Sequence, residues 1–137
     1  LFVFIKRDNI QDKQNQDVYR YEIVINPIDD RYTDEIGLNV YKKYIETRKV
    51  ESYTGIYSDD IYDFIKQHYN ITNEENEYRL IQSSMTPEYI DGLSADNKFV
   101  SGKLMDPKTK QQIGHWIYDL DKDAFKEVVL YGVTPIQ

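Results

Sequence analysis

Residues Val18 to Asn26 alternate in character. Tyr19, Tyr21, Ile23 and Ile25 fall on one side of an extended chain, and Val18, Arg20, Glu22 and Val24 on the other. That period of two, carried by aromatic and β-branched residues, is the mark of a half-buried strand. Pro27 has no N–H to give to a continuing ladder and is expected to close the strand, with Asp29-Asp30-Arg31 forming a loop. Thr33, followed by Asp34 and Glu35, has the order of a helix N-cap and an acidic first turn. Ile36, Val40 and Tyr44 then recur every four residues, with Tyr41 and Ile45 beside them. The spacing predicts a helix within 33–50, although Gly37 weakens it by about 1 kcal/mol relative to alanine. A strand starting at Ile36 is the alternative. Lys49 to Tyr57 reads as a short strand or loop around Gly55.

Ser58 to Asn70 carries the clearest helical pattern. Ser58 is placed to cap, Asp59 and Asp60 sit at the positive end of the dipole, and Ile61, Phe64, Ile65, His68 and Tyr69 form one stripe. Asn73 to Glu77 is expected to be a solvated connection and Tyr78 to Gln82 a short strand. Pro87 and Gly92 bracket one predicted helical turn. Lys98 to Met105 and Gln111 to Leu120 flank Asp106-Pro107-Lys108-Thr109-Lys110, whose residues suit a hairpin loop. In the second of these strands Trp116, Tyr118 and Leu120 share a face, with Ile113, His115 and Ile117 opposite. After a turn at Asp121-Lys122-Asp123, Phe125 to Val133 is expected to complete a three-stranded antiparallel meander.

These elements predict an α+β fold in which one or two early helices pack on one face of a mainly antiparallel sheet. The plan is similar, in architecture alone, to that of cystatin-like and nuclear-transport-factor-like domains. With 137 residues, residues 18–137 suffice for one domain. The first 17 are read either as an N-terminal strand or as a membrane-proximal stalk, because Leu1-Phe2-Val3-Phe4-Ile5 is followed by Lys6-Arg7 and then by polar residues to Asp17. Five apolar residues are far short of the roughly 18 that a span needs, so any membrane link is expected through a tether upstream of Leu1.

Composition narrows the chemistry. The chain has no Cys, which removes disulfides, thiol nucleophiles and thiolate metal sites. Its 17 Lys and Arg against 24 Asp and Glu give a net charge of −7, which argues against nucleic acid as a partner. Sixteen Ile and 13 Tyr beside two Ala suggest AT-rich codons, and hence a low-GC Gram-positive bacterium or its phage as the source. The charge is also uneven. Residues 50–79 hold seven acids and two bases, net −5, whereas residues 1–49 balance.

The candidate motifs fall short of a catalytic or metal centre. Asp119-x-Asp121-x-Asp123 resembles the opening of a calcium loop, but Ala124 stands where the turn needs Gly and Leu130 where a bidentate Glu belongs. His68 and His115, the only imidazoles, are each placed among apolar residues and read as hydrogen-bonded packing residues. No G-x-S-x-G elbow and no phosphate-cradling glycine loop is present. No catalytic, cofactor-binding or metal residue is therefore assigned.

The leading expectation is a non-enzymatic accessory or binding domain of a bacterial surface protein or lipoprotein, extracytoplasmic and tethered or secreted. It would present a protein partner with the acidic, Tyr-rich region 50–79, through Asp59, Asp60, Asp63, Tyr57 and Tyr62. The alternative is a small acidic cytoplasmic inhibitor, an immunity protein or a phage DNA mimic, that offers these carboxylates to a basic active site. A third reading, an enzyme, needs Trp116, Tyr118 and His115 to converge on one pocket.

Overall fold

The computed structural model describes residues 3–9, 19–30, 35–44, 47–96 and 98–136. Four strands come first: β1 (Val3–Asn9), β2 (Tyr19–Asp30), β3 (Glu35–Tyr44) and β4 (Val50–Tyr57), paired antiparallel in chain order as one sheet. The chain then enters α1 (Ser58–His68) directly from β4, followed by α2 (Glu74–Ser84) and a 3-10 turn at Pro87–Tyr89. A second antiparallel sheet, again in chain order, is made of β5 (Ile90–Leu93), β6 (Phe99–Met105), β7 (Gln112–Asp119) and β8 (Ala124–Leu130). Two helices packed against antiparallel sheets are the expected α+β plan. The single sheet of the cystatin-like analogy is replaced by two, and the helices lie between them in the chain instead of ahead of them.

Several local expectations are corrected. The helix predicted within 33–50 is strand β3 and the start of β4, because the residues at its centre alternate. Leu38 and Val40 are buried while Asn39 and Tyr41 are partly exposed. The strand predicted for Tyr78 to Gln82 is instead part of α2, whose first turn replaces the solvated connection. Asn73 caps that helix, its Oδ1 accepting from the Asn76 amide at 3.3 Å, and Glu74, Glu75 and Glu77 follow at the positive end of the dipole. Ser58 is the first helical residue and not the cap; that position belongs to Tyr57. The C-terminal meander has four strands, β5 being added after the predicted turn. Pro27 lies inside β2, opposite Leu38. The strand therefore does not close at Pro27, and Asp29 and Asp30, expected in a loop, pair with Ile36 and Glu35 as its last residues. Val3 to Ile5 belong to β1, and most of the predicted polar stalk, residues 10–17, lies outside the described residues.

One apolar cluster joins the two sheets. Ile25, Leu38, Val40 and Ile56 from the first sheet meet Ile61, Ile65 and Ile81 from the helices, Tyr69 and Met85 from their C-caps, and Val100, Leu104, Trp116, Tyr118 and Val128 from the second sheet. α1 is the bridge, touching β3 and β4 on one side and β8 on the other, while α2 lies on β6. The inward residues of β6 are Val100, Gly102 and Leu104. Gly102 is paired with Trp116, and its lack of a side chain makes room for the fully buried indole: a Cβ there would lie 2.4 Å from Trp116 Cε2 and Cζ2.

Two side chains satisfy backbone groups that the sheets leave open. β8 is an edge strand, and the Tyr69 hydroxyl accepts from the Leu130 amide at 3.3 Å and donates to the Val128 carbonyl at 3.4 Å. The buried Ser84 hydroxyl accepts from the Met105 amide at 2.9 Å and donates to the Leu80 carbonyl at 3.0 Å. An unpaired edge invites association with other chains, so Tyr69 both anchors the end of α1 and blunts that edge.

Candidate functional site

α1 and the β7–β8 turn enclose a cleft of about 340 Å3, lined by Asp60, Asp63, Phe64 and Gln67 from the helix and by Tyr118, Asp123 and Phe125 from the hairpin. The helix supplies its share because residues 60, 63, 64 and 67 lie within two turns on one side. The hairpin supplies its share through a tight turn. Asp119 Oδ1 accepts from the amides of Asp121 and Lys122, both at 3.0 Å, and Asp123 takes a positive φ of 53°, a conformation Asp tolerates better than most residues. The Tyr118 hydroxyl donates to Asp123 Oδ1 at 2.5 Å and fixes that carboxylate at the cleft wall.

The walls are aromatic. Phe125 meets Tyr118 edge to face at 4.8 Å between centroids and Trp116 at 5.9 Å. Phe64 stacks on His68 at 4.1 Å, and the His68 Nδ1–H donates to the Phe64 carbonyl at 2.8 Å. His68 backs Phe64 from outside the cleft and is exposed, and is not the packing residue expected from its stripe.

The electrostatics are one-sided. Burial raises the pKa of Asp60 above its ordinary value, and the negative charges of Asp63, Asp59 and Asp123 raise it further. Burial, then the bond to Asp123, pushes the Tyr118 hydroxyl up as well. Among the described residues no Lys or Arg lines the cleft, and none forms an ion pair with Asp60, Asp63 or Asp123. Three carboxylates therefore line one cleft with no described cation beside them, a charge arrangement that favours a cationic guest.

Of the five residues expected to bind a partner, Asp60 and Asp63 stand in this cleft. Asp59 and Tyr62 serve the seam between the helices: Asp59 accepts from the Tyr78 hydroxyl. Tyr62 donates to the Glu74 carbonyl at 3.2 Å and meets the Tyr78 ring edge at 5.0 Å. Tyr57 lays its ring over Gly55. Asp123, Phe125 and Phe64 were not foreseen. Nothing in the sequence joins Asp60 to Asp123, although the spacing of Asp60 and Phe64 by four was a signal for a shared helix face.

The calcium-loop resemblance has a different explanation here, since Asp119 turns back onto its own turn and Asp123 holds Tyr118. Among the described residues no group of three or more His, Asp or Glu side chains is arranged to hold a metal ion. Trp116, Tyr118 and His115 do not converge. Trp116 and Tyr118 face the core side of the second sheet, while His115 is on the outer face, where its Nδ1 shares a hydrogen bond of 2.9 Å with the Tyr131 hydroxyl. Among the described residues no helix is long and apolar enough to cross a membrane. Comparison of the sequence and structure with protein-family models, curated proteins and solved structures finds no match.

Proposed function

We propose that this chain is a non-enzymatic protein-binding domain, and that the cleft between α1 and the β7–β8 turn receives a basic side chain of its partner. The observation that carries this is that Asp60, Asp63 and Asp123 line one aromatic-walled cleft in which, among the described residues, no Lys or Arg stands. A guanidinium or ammonium entering there gains charge-assisted hydrogen bonds from the carboxylates and lies against Phe64, Tyr118 and Phe125, the faces that attract cations. It also relieves the mutual repulsion that adds to burial in raising the pKa of Asp60.

The setting we propose is the extracytoplasmic part of a bacterial surface protein or lipoprotein, on the apolar, basic, then polar order of residues 1–17. A second reading, a cytoplasmic inhibitor of a basic enzyme, is favoured by one further feature: Glu74, Glu75 and Glu77 add acidic charge in the first turn of α2. Protease shaving of intact cells carrying an epitope at Gln137 separates the two. External cleavage supports the surface setting; protection in the soluble fraction supports the inhibitor.

The binding itself is tested by calorimetric titration with a tri-arginine peptide. The D60N/D63N/D123N variant is expected to bind about tenfold more weakly or not at all, while E74Q/E75Q/E77Q binds nearly as wild type does. Equal losses in the two variants would mean that overall acidity, and not the cleft, attracts the peptide.

A further inference from the structure

The outer face of the second sheet, away from the core, holds a concavity of about 450 Å3 whose lining includes Asp91, Phe99, Ser101, Ile117 and Lys126. None of these residues lines the acidic cleft. Two irregularities on opposite flanks shape it. Between β5 and β6, Ile90 pairs with Gly102 and Gly92 with Ser101, which leaves Asp91 as the extra residue. Between β7 and β8, Ile117 pairs with Glu127 and Tyr118 with Phe125, which leaves Lys126 as the extra residue. A bulge increases local twist and re-aims the residue it frees. On each flank that residue is charged, and both line the same hollow.

The two charges differ in availability. Asp91 is held by Lys103 at 3.1 Å. Lys126 has no carboxylate partner among the described residues, and its ammonium rests 4.6 Å from the centroid of the Phe99 ring. The floor between the flanks is apolar at Phe99 and Ile117, with the Ser101 hydroxyl beside them. At the β5 rim Gly92 contributes no side chain, and the space where one would stand is open.

We propose that this hollow binds a small amphipathic monocarboxylate, its apolar or aromatic body over Phe99 and Ile117 and its carboxylate on Lys126 Nζ, with the Ser101 hydroxyl as second donor. The unpaired ammonium sets the sign of the guest, and among the described residues Lys126 is the one cation that lines the hollow, Lys103 being engaged by Asp91 at the rim, which suits a monoanion better than a dianion. The volume falls within the range of about 300 to 1,000 Å3 typical of small-molecule sites. A ligand carboxylate replaces the weak hold of Phe99 on Lys126 with a charge-assisted hydrogen bond, while the ring stays available for stacking.

The test is an NMR titration of the full chain with 3-phenylpropionate and, in parallel, with its neutral amide. Saturable shifts are expected in the low millimolar range at Ser101, Ile117 and Lys126, with the amide weaker by about fivefold or more. Lys126→Met keeps the length of the exposed side chain and removes the charge; it is expected to lower carboxylate affinity to that of the amide, whereas Lys126→Arg restores it. Asp60→Asn, in the other cleft, leaves the titration unchanged. Equal binding of acid and amide, full affinity in Lys126→Met, or shifts confined to residues outside this face would overturn the proposal.

Discussion

Gly102→Ala tests the packing that holds the second sheet together. The new methyl would lie 2.4 Å from Cε2 and Cζ2 of Trp116 and 2.7 Å from its Nε1, where ordinary contact begins at 3.4 Å. The indole, or the β6 backbone, must therefore yield by about 1 Å. The ring has little freedom to do so, since it is fully buried and Phe125 meets it edge to face. Overpacking of this kind costs about 1–3 kcal/mol. Replacing glycine returns about 0.4–1 kcal/mol by narrowing the unfolded ensemble. The expected net loss is about 1–2 kcal/mol, measured by urea unfolding followed by far-UV circular dichroism. Trp116→Phe removes the atoms that clash, at the cost of a cavity of its own. In that background Gly102→Ala should cost at least about 1 kcal/mol less than in the wild type. A Gly102→Ala protein as stable as wild type, or one whose loss is the same with Phe at position 116, would refute this account of the core.

Three further predictions follow from single hydrogen-bond networks and one titration. Tyr69→Phe orphans the Leu130 amide at the β8 edge; about 1–2 kcal/mol of stability is expected to be lost, with faster hydrogen exchange at Leu130 than at the paired residues of β7. Ser84→Ala leaves the Met105 amide without its acceptor and should cost about 1–3 kcal/mol by the same urea assay, whereas Ser83→Ala, at an exposed hydroxyl, should cost far less. The carboxyl of Asp60 titrates above its ordinary 3.8, so the folded state holds that proton to higher pH than the unfolded chain does. Its contribution is fully present below 3.8 and is lost as pH rises through the raised value. Carbon-detected NMR should show this elevated midpoint, and Asp60→Asn should flatten that part of the pH–stability curve. Saturating tri-arginine peptide should bring the midpoint down.

The α+β class, the strands β6 and β7 and β2 as far as Asn26 were legible through their alternation, while Pro27 hid the last residues of β2. The α1 stripe was legible for the same reason at helical period. β3 was misread on a point of arithmetic: Ile36, Val40 and Tyr44 are spaced by four, a spacing common to one face of a strand and one stripe of a helix. Leu38 decides between them, since it shares the inner face of a strand with Val40 but would leave the stripe of a helix. α2 was missed because Leu80 and Ile81 are its only aliphatic residues, too few to show a period. Its signal was the Asn73 cap with the acids behind it. The cleft was half legible. Helix geometry groups Asp60 and Asp63, but their approach to Asp123 depends on how α1 crosses β8, which is set by long-range packing.

The cleft between α1 and the β7–β8 turn is tested most directly by mapping where a cation lands. Titrating the chain with N-acetyl-arginine amide at low salt and following backbone amides by NMR should shift Asp60, Asp63, Phe64, Tyr118, Asp123 and Phe125 together. The shifts should weaken as salt is raised, because Coulombic attraction between exposed groups is screened. If the shifts instead spread evenly over the acids of α2 at Glu74, Glu75 and Glu77, or failed to appear at the β7–β8 turn, the cleft would not be the binding site.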